Sequence, residues 1–532
     1  MRFDARDRFR RAALALVALV AALGYANALG NGFVLDDKGI ISSNALVHHG
    51  DGLWRAFVSP YWPNGAGQYR PLAIASFALD WIATGGSAHW MHAVNVLWHV
   101  LASVLVVCVA AEFLAPAAAL VAGLVFALHP VHVEAVSNLV GRSECMATSF
   151  VLLALLAHRR GSSLAPLAFA AALLSKESAI VFLALAPASD LLLSEKPRET
   201  VRERRWLYAA YGVATLAYAG VLLAVFRGRA LMVPAASFHG VATGERLLTV
   251  LSIIPEYARL LLVPARLSAD YEPAVLTIQR SVTAPVVAGI GLLVLYALVL
   301  ARSWRHAPAL AFALLVVPLG IAPVSNVLYA SGVLLAERTL YLPSVGVALA
   351  LAWCFERATS GAPVRATRLA LAASAIVLAA FALRAWTRTR VWHDPRTFAY
   401  TALEEHPEAY RAHVVAGRVL AAMQNLPAAD DEYRKARTIF SRDGTVYQEA
   451  SDVALARGDY RRGSALLDTA IALMPANTSY LLLRSRLRLA LGDTARAAAD
   501  AAVAARLAGA ARDAAALSRA LGAERASAGA AP

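Results

Sequence analysis

Charge is scarce in this sequence. Only 16% of its 532 residues are Asp, Glu, Lys or Arg, while 59% are hydrophobic. A soluble chain of this length would show separated amphipathic segments. Here apolar runs of about 18 residues recur instead, long enough to cross roughly 30 Å of hydrocarbon. Cysteine is scarcer still. Cys108, Cys145 and Cys354 lie in apolar stretches without metal-ligand spacing, and read as small core residues. Acidic residues number 36 against 50 basic ones, a formal net charge of +14. The basic excess sits in short loops between apolar runs. That is the positive-inside pattern of a membrane protein and argues against nucleic acid as a partner.

What is present is a polytopic all-α membrane bundle. The N-terminal basic stretch followed by residues 12–29 imitates a signal peptide, but its apolar run is long enough to span, and an uncleaved anchor is expected. Further spans are expected near 91–114, 116–129, 145–158, 164–175, 178–193, 206–226, 283–301, 307–324, 335–355 and 367–385, eleven in all. Segment 246–264 carries Glu256, Arg259 and two prolines, so an interfacial or re-entrant helix is expected there. With the N-terminus inside and 246–264 not crossing, every short basic cluster falls on the cytoplasmic side. The C-terminal part is then exoplasmic.

Beyond Arg390 the pattern changes. Residues 410–511 repeat with a period of 34. Gly417, Ser451 and Ser485 are equivalent, as are Ala436, Ala470 and Ala504. Turns align at Gln424-Asn425, Gly458-Asp459 and Gly492-Asp493. Small residues where paired helices touch are the signature of about three tetratricopeptide repeats. The expected organisation is a membrane domain over 1–390 with an exoplasmic loop at 31–90, a connector at 391–409, repeats at 410–511 and a tail at 512–532.

The conspicuous polar residues gather on the predicted exoplasmic side. They lie in FVLDDKGII (33–41), QYRPL (68–72), HPVHVEAVSNLVGR (129–142), SKES (175–178), ADYEP (269–273) and AERTLYLP (336–343). The pair Asp36 and Asp37 beside a membrane suits a general base, because crowding and desolvation raise one carboxylate. An acidic pair in a loop is otherwise simply solvated. His129, His132 and Glu134 could approach a metal, but capping and turn roles explain them more simply. His92, Asn95 and His99 share one helical face and read as a polar network between helices. Lys176 and Glu177 could pair with each other, and Glu337 with Arg338. Arg142, Lys176 and Arg338 together would suit a phosphate. The aromatics Tyr61-Trp62 and Tyr341 read as interfacial anchors.

These motifs, in this order and followed by the repeats, resemble the transmembrane-and-tetratricopeptide O-mannosyltransferases of the GT-C superfamily. The resemblance covers almost the whole chain. It implies a GT-C membrane bundle followed by an α-solenoid, a polyprenyl-phosphate sugar as donor, and inverting transfer to Ser or Thr of an exported protein. It places Asp36 and Asp37 on the catalytic acidic motif, and Arg338 as the first candidate for the leaving phosphate. Lys176, Arg142 and Arg70, with Glu134 and His129, complete the expected substrate-binding set. No cofactor or metal is expected. The expected location is a bacterial inner membrane, with the repeats meeting an acceptor or an export partner. Transfer to an envelope glycan or lipid, or a non-catalytic scaffold, are the alternatives that sequence leaves open.

Overall fold

The computed structural model describes residues 5–63, 67–226, 234–271 and 275–508, and every regular element among them is helical. Glu272 and Pro273 of the ADYEP motif, and the tail expected at 512–532, lie outside the described residues. The chain divides into two compact units: Met1–Tyr271 with Leu276–Phe398, and Glu272–Val275 with Ala399–Pro532.

Among the described residues of the first unit, seven helices are long and apolar enough to cross a membrane: Asp7–Gly30, Ala88–Ala110, Leu139–Arg159, Arg205–Phe226, Ala284–His306, Glu337–Thr359 and Val364–Trp392. An eighth is the pair Pro116–Leu128 and Pro130–Ser137, bent by 46°. Hydropathy predicts eleven. The other three fall on the shorter helices Leu164–Ser175, Phe182–Leu193 and Pro308–Val324. A helix of 12 residues reaches only about 18 Å, well short of the hydrocarbon thickness. Polar motifs enter where helices break, at His129-Pro130 within the bent pair and at Ser175-Lys176 between two of the short helices. Irregular backbone at membrane depth is tolerated only where protein or water satisfies it.

Burial separates an inner helix from outer ones. Leu139–Arg159 has 89% of its apolar window inside the protein, against 6% for Val364–Trp392. Hydropathy cannot make this distinction, because lipid and core are equally apolar. The cysteines illustrate it: Cys145 is buried, but Cys108 is half-buried and Cys354 is exposed, contrary to the expectation of three core residues. The helix Thr243–Leu262 stays continuous through Pro255 and carries the Arg259–Glu256 pair at 2.8 Å. It packs on Ala284–His306 at Gly289, where an added Cβ would lie 1.8 Å from the Leu251 carbonyl oxygen. Only glycine permits that approach.

The described residues of the second unit include three helix pairs. Their first helices are Tyr410–Ala422, Gly444–Ala456 and Thr478–Ala490, and their second helices Leu426–Ile439, Tyr460–Leu473 and Thr494–Ala508. Gly417 lies against the Tyr433 ring. At the equivalent places Ser451 donates to the Gly463 carbonyl at 3.0 Å and Ser485 to that of Ala497 at 2.8 Å. Each turn needs one residue with positive φ: Gln424, Gly458 and Gly492.

Candidate active site

The acidic loop begins where the first span ends. Gly32 donates its N–H to the His393 carbonyl at 2.8 Å, and Leu35 follows with a φ of 50°. A leucine in that region is strained, and such outliers mark sites where the fold dictates the backbone. The turn separates the two carboxylates. Asp37 points inward and is fully buried, accepting the Val34 N–H at 3.1 Å and the Val140 N–H at 3.0 Å. Burial raises its carboxyl, the two N–H groups oppose this, and Asp36 adds to the rise, leaving it at about 7. Asp36 is half-buried, and its carboxylate makes no hydrogen bond to another described residue. The two members of the motif therefore have different environments: Asp37 ties the loop to Val140, while Asp36 stays half-buried.

Each cation that sequence selected is matched to a carboxylate from a distant segment. Arg70 holds Glu177 with two bonds of 3.0 and 2.6 Å and lies 5.0 Å from the centre of the Tyr61 ring. Burial alone would raise Glu177, but Arg70 overrides it and brings the carboxyl down to about 2. Lys176 pairs with Glu144, not with its neighbour Glu177. Arg338 pairs with Glu134, not with Glu337, and its backbone N–H donates to the same carboxylate at 2.9 Å. Glu337 instead accepts the Ser268 N–H at 2.6 Å and the Tyr271 hydroxyl at 2.7 Å, which docks Tyr271 of the ADYEP motif.

Two candidates do not belong to an open site. Arg142 is fully buried, and its guanidinium meets Asp80 at 2.5 Å, Asn95 at 2.7 Å and the Met91 carbonyl at 2.8 Å. The Phe77 ring closes its face at 4.3 Å. With its donors committed, Arg142 braces helices and cannot hold a phosphate. His129 donates through Nε2 to the Leu261 carbonyl at 3.0 Å and accepts the Val131 N–H at 3.3 Å, so it caps the helix break. His132 meets Ser344 at 2.7 Å, and His99 meets Tyr341 at 2.8 Å. Asn95 also donates to the carbonyls of Val136, Asn138 and Leu139. No group of three or more His, Cys, Asp or Glu that could hold a metal occurs among the described residues.

Arg338 is the most accessible cation here, its side chain 25% exposed against 10% for Arg70 and 5% for Lys176. The phenol of Tyr61 reports the whole cluster. Burial raises it strongly, and it feels Arg70, Asp36, Asp37 and Arg338 in that order. Sequence reasoning missed Glu144 and Asp80 as counter-ions and gave Glu177 to Lys176, where the fold gives it to Arg70.

No family model matches the chain. Protein O-mannosyl-transferase TMTC3 of Homo sapiens is 24% identical over 436 residues, covering 74% of this chain and 47% of that protein. Protein O-mannosyl-transferase Tmtc1 of Drosophila melanogaster is 28% identical over 525 residues, covering 79% and 60%. Protein O-mannosyl-transferase Tmtc2 of the same fly is 42% identical over 144 residues, covering 26% and 15%. The chain thus spans about half the length of the first of these relatives. The order of the polar motifs, the helical membrane unit and these similarities agree: the chain is TMTC-like.

Proposed function

We propose that the chain is a membrane glycosyltransferase that moves a sugar, mannose in the first instance, from a polyprenyl-phosphate carrier to Ser or Thr hydroxyls of exported proteins. The observation that carries this reading is the half-exposed Asp36 beside the buried Asp37, in one electrostatic field with Arg338. The relatives named protein O-mannosyl-transferase support it. In this reading Asp36 is the general base. The acceptor oxygen attacks the anomeric carbon from the face opposite the phosphate, forming the new C–O bond with inversion. Its proton passes to Asp36. The bond from the anomeric carbon to the phosphate oxygen breaks, and the electron pair leaves with the polyprenyl phosphate. Arg338 holds that developing charge, because its guanidinium meets Glu134 through one nitrogen and its side chain is partly exposed. Asp37 is a positioning residue that fixes the strained turn. The helix pairs of the second unit serve as tetratricopeptide repeats that present an extended acceptor chain, on the periplasmic side of a bacterial inner membrane. Undecaprenyl phosphate is the carrier in that setting.

Asp36→Asn tests the base with the shape preserved. Turnover from a radiolabelled polyprenyl-phosphate mannose to a Thr-containing peptide should fall by about 10² to 10⁴, with unchanged expression and melting temperature. Wild-type turnover in this variant would remove the assignment.

A further inference from the structure

Tyr61 is 2% exposed, and its ring packs among Ile40, Ile41, Phe77 and Leu139. That apolar packing accounts for the ring but not for the hydroxyl, which is buried and hydrogen-bonds no described residue. A buried hydroxyl without a partner destabilises a fold, and phenylalanine would avoid the cost. The oxygen is not in an apolar setting either, since the charges acting on it are those of Arg70, Asp36, Asp37 and Arg338. Its ring is held firmly. The Tyr61 N–H donates to the Gln68 carbonyl at 3.0 Å, the Trp62 indole donates to the Gln68 side chain at 3.2 Å, and Gln68 itself is locked at a φ of 69°. A buried donor that hydrogen-bonds no described residue, on a rigid support, is the arrangement a ligand site requires.

We propose that the Tyr61 hydroxyl donates a hydrogen bond to a phosphate oxygen of the polyprenyl-phosphate donor. This rests on the function proposed above and adds a residue to it. Phosphate is the partner because Arg338 needs help to hold it: Arg70 spends its fork on Glu177, and Lys176 faces Glu144. A phosphate entering beside Asp36 meets too few free donors and two carboxylates of its own sign. A neutral hydroxyl supplies a donor without needing a counter-ion. Burial keeps the phenol protonated, so it donates at every working pH.

Tyr61→Phe removes only the oxygen. Binding of undecaprenyl phosphate, which carries no sugar, is measured by native mass spectrometry of the full chain in detergent. Turnover and melting temperature are measured alongside, with Asp36→Asn as the inactive control. Binding should weaken about tenfold or more, the scale of a hydrogen bond to a charged group. The donor KM should rise, and the melting temperature should hold or increase. Unchanged binding, with Asp36→Asn inactive, overturns the role of Tyr61 and leaves the proposed function standing. Weakened binding together with a lowered melting temperature also overturns it, because the hydroxyl then acts through the fold. A wild-type chain that neither binds the lipid phosphate nor transfers sugar overturns both.

Discussion

The acidic loop and the Arg70–Glu177 rim each take a carboxylate out of water, with different partners. Asp37 has two backbone N–H groups and no paired cation among the described residues, and its carboxyl rises to about 7. Glu177 has a bidentate guanidinium, and its carboxyl drops to about 2. Backbone dipoles solvate a charge without neutralising it. A guanidinium does both, at the cost of needing its own burial. The loop therefore keeps a carboxylate poised to change charge near neutrality, while the rim keeps one permanently ionised.

The largest expected effect lies where pairing and burial coincide. Arg142 is fully buried, and the side chain of its partner Asp80 is 9% exposed. Replacing Arg142 with Met leaves Asp80 without its cation and Asn95 without its donor. That should destabilise the membrane unit by about 3–5 kcal/mol, read as loss of folded protein in detergent. Arg142→Met with Asp80→Leu should recover much of it, since a buried pair replaced as a unit is nearly neutral. If Arg142→Met instead folded normally and lost only turnover, Arg142 would be a ligand for phosphate after all.

Next comes pH, where the two carboxylates predict slopes of opposite sign. The folded value of Glu177 lies below its ordinary 4.5. Its stabilisation is therefore present above that value and lost as pH falls towards about 2. The folded value of Asp37 lies above its ordinary 3.8. Its contribution is fullest below 3.8 and is lost as pH rises through about 7. Each slope is bounded by about 1.4 kcal/mol per pH unit per proton. The Glu177 side chain is 31% exposed, so solvent screening makes its slope the shallower. Melting temperatures across this range should show both limbs. Asp37→Asn should remove the upper one and Glu177→Gln the lower one. A single shared limb that survives both substitutions would mean that neither carboxylate is differently stabilised.

Which carboxylate takes which partner was hidden from sequence for a geometric reason. Arg70 and Glu177 are 107 residues apart, Glu134 and Arg338 are 204 apart, and Glu144 and Lys176 are 32 apart. Reading along the chain favours the neighbours Lys176-Glu177 and Glu337-Arg338. The fold rejects both, because a helix starts or breaks there and sends consecutive side chains in different directions. Local features fared better. The apolar runs and the polar face of His92, Asn95 and His99 are written in short windows. Burial within the membrane is not, as Cys354 shows. The orientation of Asp36 and Asp37 is not either, since it depends on a leucine forced to positive φ.

The smallest effect should come from an ion pair of similar chemistry in the second unit. Arg434 and Asp431 lie one helical turn apart on Leu426–Ile439, their side chains 61% and 47% exposed. Both charges stay hydrated there, so their attraction is screened by water and salt. Neither ion has given up solvation that the other must replace, unlike Arg142 and Asp80 inside the bundle. Arg434→Ala should therefore leave amide hydrogen exchange of this helix unchanged in the full chain, at low and at high salt. Lost protection at low salt alone would assign the pair a real but screened contribution. Lost protection at both would show that pairing, and not burial, sets the scale of these interactions. The contrast between Arg142 and Arg434 would then have to be sought in packing, such as the Phe77 ring over the buried guanidinium, which Arg434 lacks among the described residues.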